Sequence, residues 1–371
     1  MNARERHINT MKFKPVDKVP NYELGLWGQT YERWLTEGLP ESEITGNWFE
    51  GVPKVGRMDR REYIGLAMGP MPDFYRVLEE TERYILFIDA KGEKRRSLKA
   101  GAVKGTNLSM DTFLEFPIKD RKDFLEFKKR FDPKDPKRYP ADWEAKKKEW
   151  KNRDYPLYLA HNCAFAGFYW NLREMFGTEN LSYAFYDQPE LVHEILDFSL
   201  DFFLQVTEKA LNEVEVDACI CNEDFACKSG PLLSPATYKE FIYPRHKKMF
   251  SHLKSKGVKV IELDSDGNIE PLIPLLIEAG VDCLWPFEAA ADMDPVKIRK
   301  EYGKAVAISG GIDKRELFYD RKRIDAELEK KILPLIEQGG YIPTIDHTIS
   351  PEVSVDNFKY YIEKKLKLLQ R

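Results

Sequence analysis

The apolar run Val258-Lys259-Val260-Ile261-Glu262-Leu263 ends on Asp264-Ser265-Asp266-Gly267-Asn268. Alternate residues leaving a strand point to one side, so Asp264 and Asp266 can face a common centre. Carboxylates that share one space repel unless a proton or a cation neutralises them. A metal ion is the economical solution, and Asp, Glu and His are its natural ligands. His347 leaves the run Tyr341 to Ile345 and could supply a third ligand from a facing wall. The plainer alternatives stay open. Asp264 and Asp266 could cap a helix before Ile269, and His347 could be a buried ring bonded to a loop.

The other apolar runs end in a similar way. Tyr22, Glu23 and Trp27 follow the first, and His161, Asn162 and Cys163 follow Leu157 to Ala160. Asn222, Glu223 and Asp224 follow Ala218 to Cys221, and Pro286, Phe287 and Glu288 follow Asp282 to Trp285. Ser309, Gly310, Gly311, Ile312, Asp313 and Lys314 follow Ala305 to Ile308, and Asp346 precedes His347. Each acid taken alone reads as a turn or cap residue. Together they converge on one face if the strands are parallel, with Tyr22, Glu23, Trp27, Asn162 and Asp313 as candidates to touch a substrate. Gly310-Gly311 could cradle an anion through backbone N–H groups, although such turns are common. Aromatic residues near these ends, Trp27 and Trp285 among them, serve core packing or a flat substrate.

The elements that must position these residues alternate in type. From about residue 155, short apolar strands are separated by amphipathic helices that close on Gly257, Gly280, Gly303 and Gly339. That alternation implies a parallel sheet buried on both faces. Counting Val19 to Leu24 and a hairpin over 83–98, the strands reach about eight, the number of a TIM (β/α)8 barrel. An open doubly wound sheet is the competitor. The chain reads as one barrel domain over 1–371, with N-terminal insertions at about 41–80 and 119–153. The charged stretch 119–153 is expected to be solvated helix and connector.

The chain has 371 residues, enough for a large core. Lys plus Arg is 58 against 62 for Asp plus Glu, a net charge of −4, which offers no global field for nucleic acid or an anionic membrane. No apolar run approaches the ~18–20 residues of a membrane span. Met1 to His7 is polar and does not read as a secretory signal. Five cysteines, Cys163, Cys219, Cys221, Cys227 and Cys283, form no CxxC pair and point to a reducing cytoplasm.

Gly267-Asn268, Ala279-Gly280-Val281-Asp282, Gly310-Gly311-Ile312-Asp313, Gly339-Gly340-Tyr341-Ile342 and Pro235 to Pro244, within a SPATYKEFIYP pattern, resemble the uroporphyrinogen decarboxylase superfamily. The resemblance is strongest over about 155–362 and implies a TIM barrel. It also implies one of two activities: decarboxylation of a tetrapyrrole, or methyl exchange with the cobalt of a corrinoid protein. The decarboxylases carry an arginine-rich RQAGRY stretch after the first strand. Here Trp27-Gly28-Gln29-Thr30-Tyr31-Glu32-Arg33-Trp34 has one arginine, and Glu23 stands nearby. A polycarboxylate would be repelled there.

Thiol-methylating members of the second branch hold zinc with an H-x-C-G-N run and a late Cys. Asp264-Ser265-Asp266-Gly267-Asn268 is similar to that run, with Asp264 at the His position and Asp266 at the Cys position. His347 falls where the late Cys is expected. Two carboxylates and an imidazole are harder ligands than thiolates, so the resemblance implies a zinc or other divalent site suited to activating an ether oxygen. Glu223 would be a further ligand or a proton carrier. The expected activity is O-demethylation: methyl transfer from a methoxylated aromatic to a corrinoid on a partner protein, which docks over the mouth near loops 41–75. A decarboxylase of a smaller substrate, served by Asp264 or Lys314, and a non-catalytic corrinoid- or aromatic-binding barrel are the alternatives.

Overall fold

The computed structural model describes residues 1–44, 52–103, 107, 109–159 and 167–370. A seven-stranded parallel sheet curls through the chain. Its strands are β1 (Glu62–Tyr63), β6 (Leu157–Tyr158), β7 (Ala218–Asn222), β10 (Val260–Asp264), β11 (Cys283–Trp285), β12 (Ala307–Ser309) and β13 (Tyr341–Ile342), in that spatial order. A separate antiparallel sheet holds β2 (Arg76–Glu80), β3 (Tyr84–Ile88), β4 (Lys94–Leu98) and β5 (Thr112–Glu115). A short ribbon pairs β8 (Ala226–Cys227) with β9 (Gly230–Pro231).

Strand composition explains the parallel sheet. Ala218, Cys219 and Cys221 are fully buried, as are Val260, Ile261 and Leu263. Strands covered on both faces are apolar throughout rather than alternating. Helices return the chain between them. The longest, Pro189–Glu213, starts with proline at its first position, where no backbone N–H is needed. It buries Val192, Ile195, Leu196 and Phe203 along one stripe. Each such side chain contributes about 1.5–3 kcal/mol through burial. Ser234, Asp294 and Ser354 cap later helices with side-chain oxygens, and Gly280 ends another in the left-handed conformation at φ 112°.

The expected rhythm from residue 155 onward is present, with strand boundaries shifted by up to three residues, as in the last strand, Tyr341–Ile342 rather than Tyr341 to Ile345. Three expectations are corrected in the N-terminal part. Val19 to Leu24 forms no strand, and its neighbour Leu26 makes a single parallel bridge to Ile349. The 83–98 hairpin forms as β3 and β4, yet it belongs to the antiparallel sheet. The parallel sheet recruits β1 instead, from a region read as irregular insertion. Nor is 119–153 merely solvated: Phe124, Phe127, Trp143 and Trp150 are buried, because aromatic residues among its charges face the Pro189–Glu213 helix side of the fold.

Segment 21–27 is stitched to both margins of the curled sheet. Asp59 N–H donates to Asn21 O at 2.9 Å just before β1. On the other side, Ile349 N–H donates to Gly25 O at 2.9 Å and Trp27 N–H donates to Ile349 O at 3.2 Å, beyond β13. No helix among the described residues is long and apolar enough to cross a membrane.

Candidate active site

Register places the site. Asn222, Asp264 and Trp285 lie side by side at the C-terminal ends of three adjacent parallel strands. Beyond them the loops carry Asp224, Asp266 and Glu288. One carboxylate oxygen from each of Asp224, Asp264 and Asp266 lies within 4.8 Å of the other two. His347 Nε2 stands 3.5 Å from Asp266 Oδ2, and its ring stacks on Trp27 with centroids 6.4 Å apart. His347 Nδ1 meets Thr348 Oγ1 at 2.8 Å.

Backbone contacts hold this grouping. Asp266 N–H donates to Asp224 Oδ1 at 3.0 Å, and Gly267 N–H donates to Glu288 Oε2 at 2.8 Å. Asp224 takes φ 41°, a left-handed turn that brings its side chain over the next strand. Gly267 takes φ 79°, and a Cβ there would lie 2.6 Å from the Ala226 carbonyl carbon. The residue after Asp266 must therefore be glycine to pass under the ribbon.

The electrostatics follow from crowding. Burial, then Asp266, pushes the Asp224 carboxyl up to about 6. Burial, then Asp224 and Asp266, pushes Asp264 well above the usual carboxylate range. Glu288 is raised by burial and by Asp266. Like charges this close cannot all ionise without a compensating cation. All three aspartates are partly open to the mouth, so an ion can reach them. Oxygen donors of this kind suit a hard or borderline divalent ion.

The remaining expected site residues lie elsewhere. Glu223 is fully buried and turned away from the cluster. It accepts the N–H groups of Phe168 at 2.9 Å and Tyr169 at 2.7 Å, at the N-terminus of the helix Phe168–Phe176. Its Oε1 is also 2.6 Å from His246 Nε2, while His246 Nδ1 meets the Tyr238 hydroxyl at 2.9 Å. Glu223 is thus an anchor for the loop that presents Asp224.

Glu23 is a second anchor. It accepts from Lys365 Nζ at 2.5 Å, the Tyr361 hydroxyl at 2.6 Å and Ile345 N–H at 2.9 Å, all buried. Asp313 caps the turn Lys314–Phe318 and holds the Arg315 guanidinium at 2.7 and 2.8 Å. Tyr22 is buried between the His7 ring and the Arg61 guanidinium. Among the described residues, Trp27 is the expected substrate contact that stacks on a residue of the cluster, His347. Asn162 lies outside the described residues. Asp224 and Glu288 are the acids that strand-end reading names without placing at the centre. Applying to Asn222 and Asp224 the alternation used for Asp264 and Asp266 points to Asp224.

Comparison with known proteins gives the same fold and a family. The chain resembles a solved methyltransferase from Methanosarcina mazei at TM-score 0.60 and 16% identity, covering 98% of both chains. It is 30% identical over 178 residues to the uroporphyrinogen decarboxylase of Myxococcus xanthus, which is 48% of each chain. It is 27% identical over 224 residues to that of Campylobacter lari, covering 55% of this chain and 60% of that one. The chain thus spans about half the length of the curated relatives it matches. The description uroporphyrinogen decarboxylase (URO-D) matches residues 171–365, more than half of the chain and every loop that feeds the acidic cluster. This protein belongs to the uroporphyrinogen decarboxylase family.

Proposed function

We propose that this protein is a methyltransferase that moves a methyl group from a small methoxylated aromatic donor to a corrinoid carried by a partner protein, with a divalent metal, zinc first among candidates. The observation that carries the reading is the convergence of Asp224, Asp264 and Asp266 within 4.8 Å beside His347. The methyltransferase of similar fold supports it. The acidic mouth argues against a tetrapyrrole polycarboxylate, since Arg33 is bound to Glu37 and the Pro351 carbonyl. The same reading takes the curled sheet as an eight-stranded barrel, 1–371 as one domain, closed through segment 21–27.

The three aspartates would hold the ion, with His347 as a nitrogen ligand beside Asp266. When bound, a divalent ion supplies positive charge that polarises an ether oxygen. Trp27 holds the His347 ring by stacking, and Glu288 holds the Asp266–Gly267 backbone. Glu223 keeps Asp224 in place. The corrinoid partner docks over this mouth.

Elemental analysis of the purified protein, followed by a screen of methoxylated aromatics with a reduced corrinoid protein, tests the reading. One equivalent of metal and transfer of the methyl group to cobalt are expected. Full activity after complete chelation sinks the metal. Release of CO2 with no corrinoid present would instead favour a decarboxylase, and a metal-free protein without turnover would favour a binding barrel.

A further inference from the structure

The four-stranded antiparallel sheet is inserted after the C-terminal end of β1, on the side of the parallel sheet that carries the acidic cluster. No residue of β2, β3, β4 or β5 is buried, and β2 and β5 are exposed along their whole length. Register aligns Val77, Phe87, Arg95 and Phe113 in one row across the sheet. Val77 is 47% exposed and Phe113 39%. A sheet covered so little is held by its ends rather than by a core, and such elements are the ones that open most readily.

One end of the sheet is fixed. Arg130 donates to the Pro72 and Asp73 carbonyls at 2.9 and 2.8 Å and lies 3.9 Å over the Phe74 ring, which stacks on Phe127 at 5.6 Å. Lys91, in the turn between β3 and β4, pairs with Glu174 on the helix Phe168–Phe176. The far end is tied by a hydrogen bond. Beyond β4, the Gly101 carbonyl accepts from Gln29 Nε2 at 2.6 Å, in the first turn of the helix Gly28–Thr36. From Lys91 to Gly101 the chain reaches up to ~33 Å. Both ends touch the supports of the acidic cluster. Helix Phe168–Phe176 carries Arg173, which donates to the Asp224 backbone carbonyl at 2.9 Å. Helix Gly28–Thr36 follows Trp27, which stacks on His347. A cavity of about 390 Å³ separates the sheet from the helix Phe168–Phe176. Its rings are covered by cations of their own walls, Arg95 4.5 Å over Phe113 and Arg173 4.6 Å over Trp170. The sheet therefore stands off the helix, with room to rock about its fixed end.

We infer that the antiparallel sheet is a strap across the barrel mouth, hinged at 72–74 and 89–92 and latched by Gln29 on Gly101, and that unlatching opens the way to the acidic cluster. A single hydrogen bond shifts an equilibrium by about two- to tenfold, so this latch favours the closed form and still lets it open. Latched, the strap joins the Trp27–His347 side of the mouth to the Asp224 side. Its part in admitting an ion or a substrate rests on the proposed metal site; its motion does not.

Pulsed electron spin resonance on the full chain tests this. Nitroxides are placed on Glu82→Cys, in the turn between β2 and β3, and on Glu352→Cys, beyond the last strand, both at exposed positions. Cys163→Ser and Cys227→Ser keep the labelling to those two sites, since Cys219, Cys221 and Cys283 are buried. Gln29→Ala and Gln29→Glu should each raise a longer-distance population severalfold, with the urea midpoint staying near the parent's. Zinc capture, followed by stopped flow with a chromophoric chelator, should quicken by a similar factor in both variants. Identical distance distributions in the parent and both variants overturn the strap, whatever the metal does. Opening that comes only with a lowered urea midpoint is local unfolding and overturns it as well. A longer-distance population in the variants, with no zinc bound by any of the proteins, upholds the strap and removes the metal site. Opening with an unchanged rate of zinc capture overturns the gating role.

Discussion

Asp224 Oδ1 accepts the backbone N–H of Asp266 at 3.0 Å, so the loop after β7 sets the position of the loop after β10. The bond joins two of the three aspartates that crowd the mouth. It also makes the cluster a property of both loops together.

The first prediction concerns the metal. Asp264→Asn and Asp224→Asn should each lower zinc affinity by more than the ~10–100-fold typical of a supporting residue. Protons compete with metal for these carboxylates, so affinity should fall as pH drops through about 6, where Asp224 takes up its proton. Competition titration with a chromophoric chelator at pH 5.5 and 7.5 checks both. Equal affinity at the two pH values, or in the variants, would contradict the ligand set.

Glu223 should behave as a strut. Glu223→Gln keeps the shape but removes the charge facing a helix N-terminus and changes the contact with His246. A loss of roughly 1–3 kcal/mol in urea denaturation is expected, with weaker metal binding as a consequence. His246→Gln should share most of that loss, and the double variant should cost less than the sum. Additive costs would show that the two side chains do not act through each other.

The buried Glu93 predicts a pH dependence of stability. Its carboxyl is raised from 4.5 to about 8, so the folded state holds the proton more tightly than the unfolded chain. That contribution is complete below the unfolded value and disappears as pH rises through about 8. Between pH 6 and 8 the slope should be roughly −1 kcal/mol per pH unit from this group. Glu93→Gln should flatten the profile by that amount, measured by denaturant melts across the range. An unchanged slope would remove Glu93 as its source.

Lys365 and Glu23 form a fully buried ion pair that ties segment 21–27 to the last helix. Lys365→Met leaves a carboxylate buried with the Tyr361 hydroxyl and a backbone N–H as partners. It should cost about 3–5 kcal/mol. Adding Glu23→Gln should recover part of it. Chemical denaturation of the single and double variants decides, and a single variant as stable as the parent would refute the argument.

Much of this architecture was legible in the residues. Continuous apolar runs such as Ala218 to Cys221, punctuated by Gly280 and by Ser354, specify parallel strands and helix ends through local sterics and burial. Alternation along a strand brought Asp264 and Asp266 to one side for the same local reason. What the chain alone could not show was the partner of each carboxylate. Glu223 and Asp224 are adjacent in sequence, and only the positive φ at Asp224 and the helix terminus behind Glu223 separate anchor from cluster. Glu23, equally acidic, is drawn inward by Lys365, which lies 342 positions away. Charge type and strand position are local properties. Which charge meets a cation, a helix end or open space is set by segments distant in sequence, and that is decided only when the sheet curls and its loops meet.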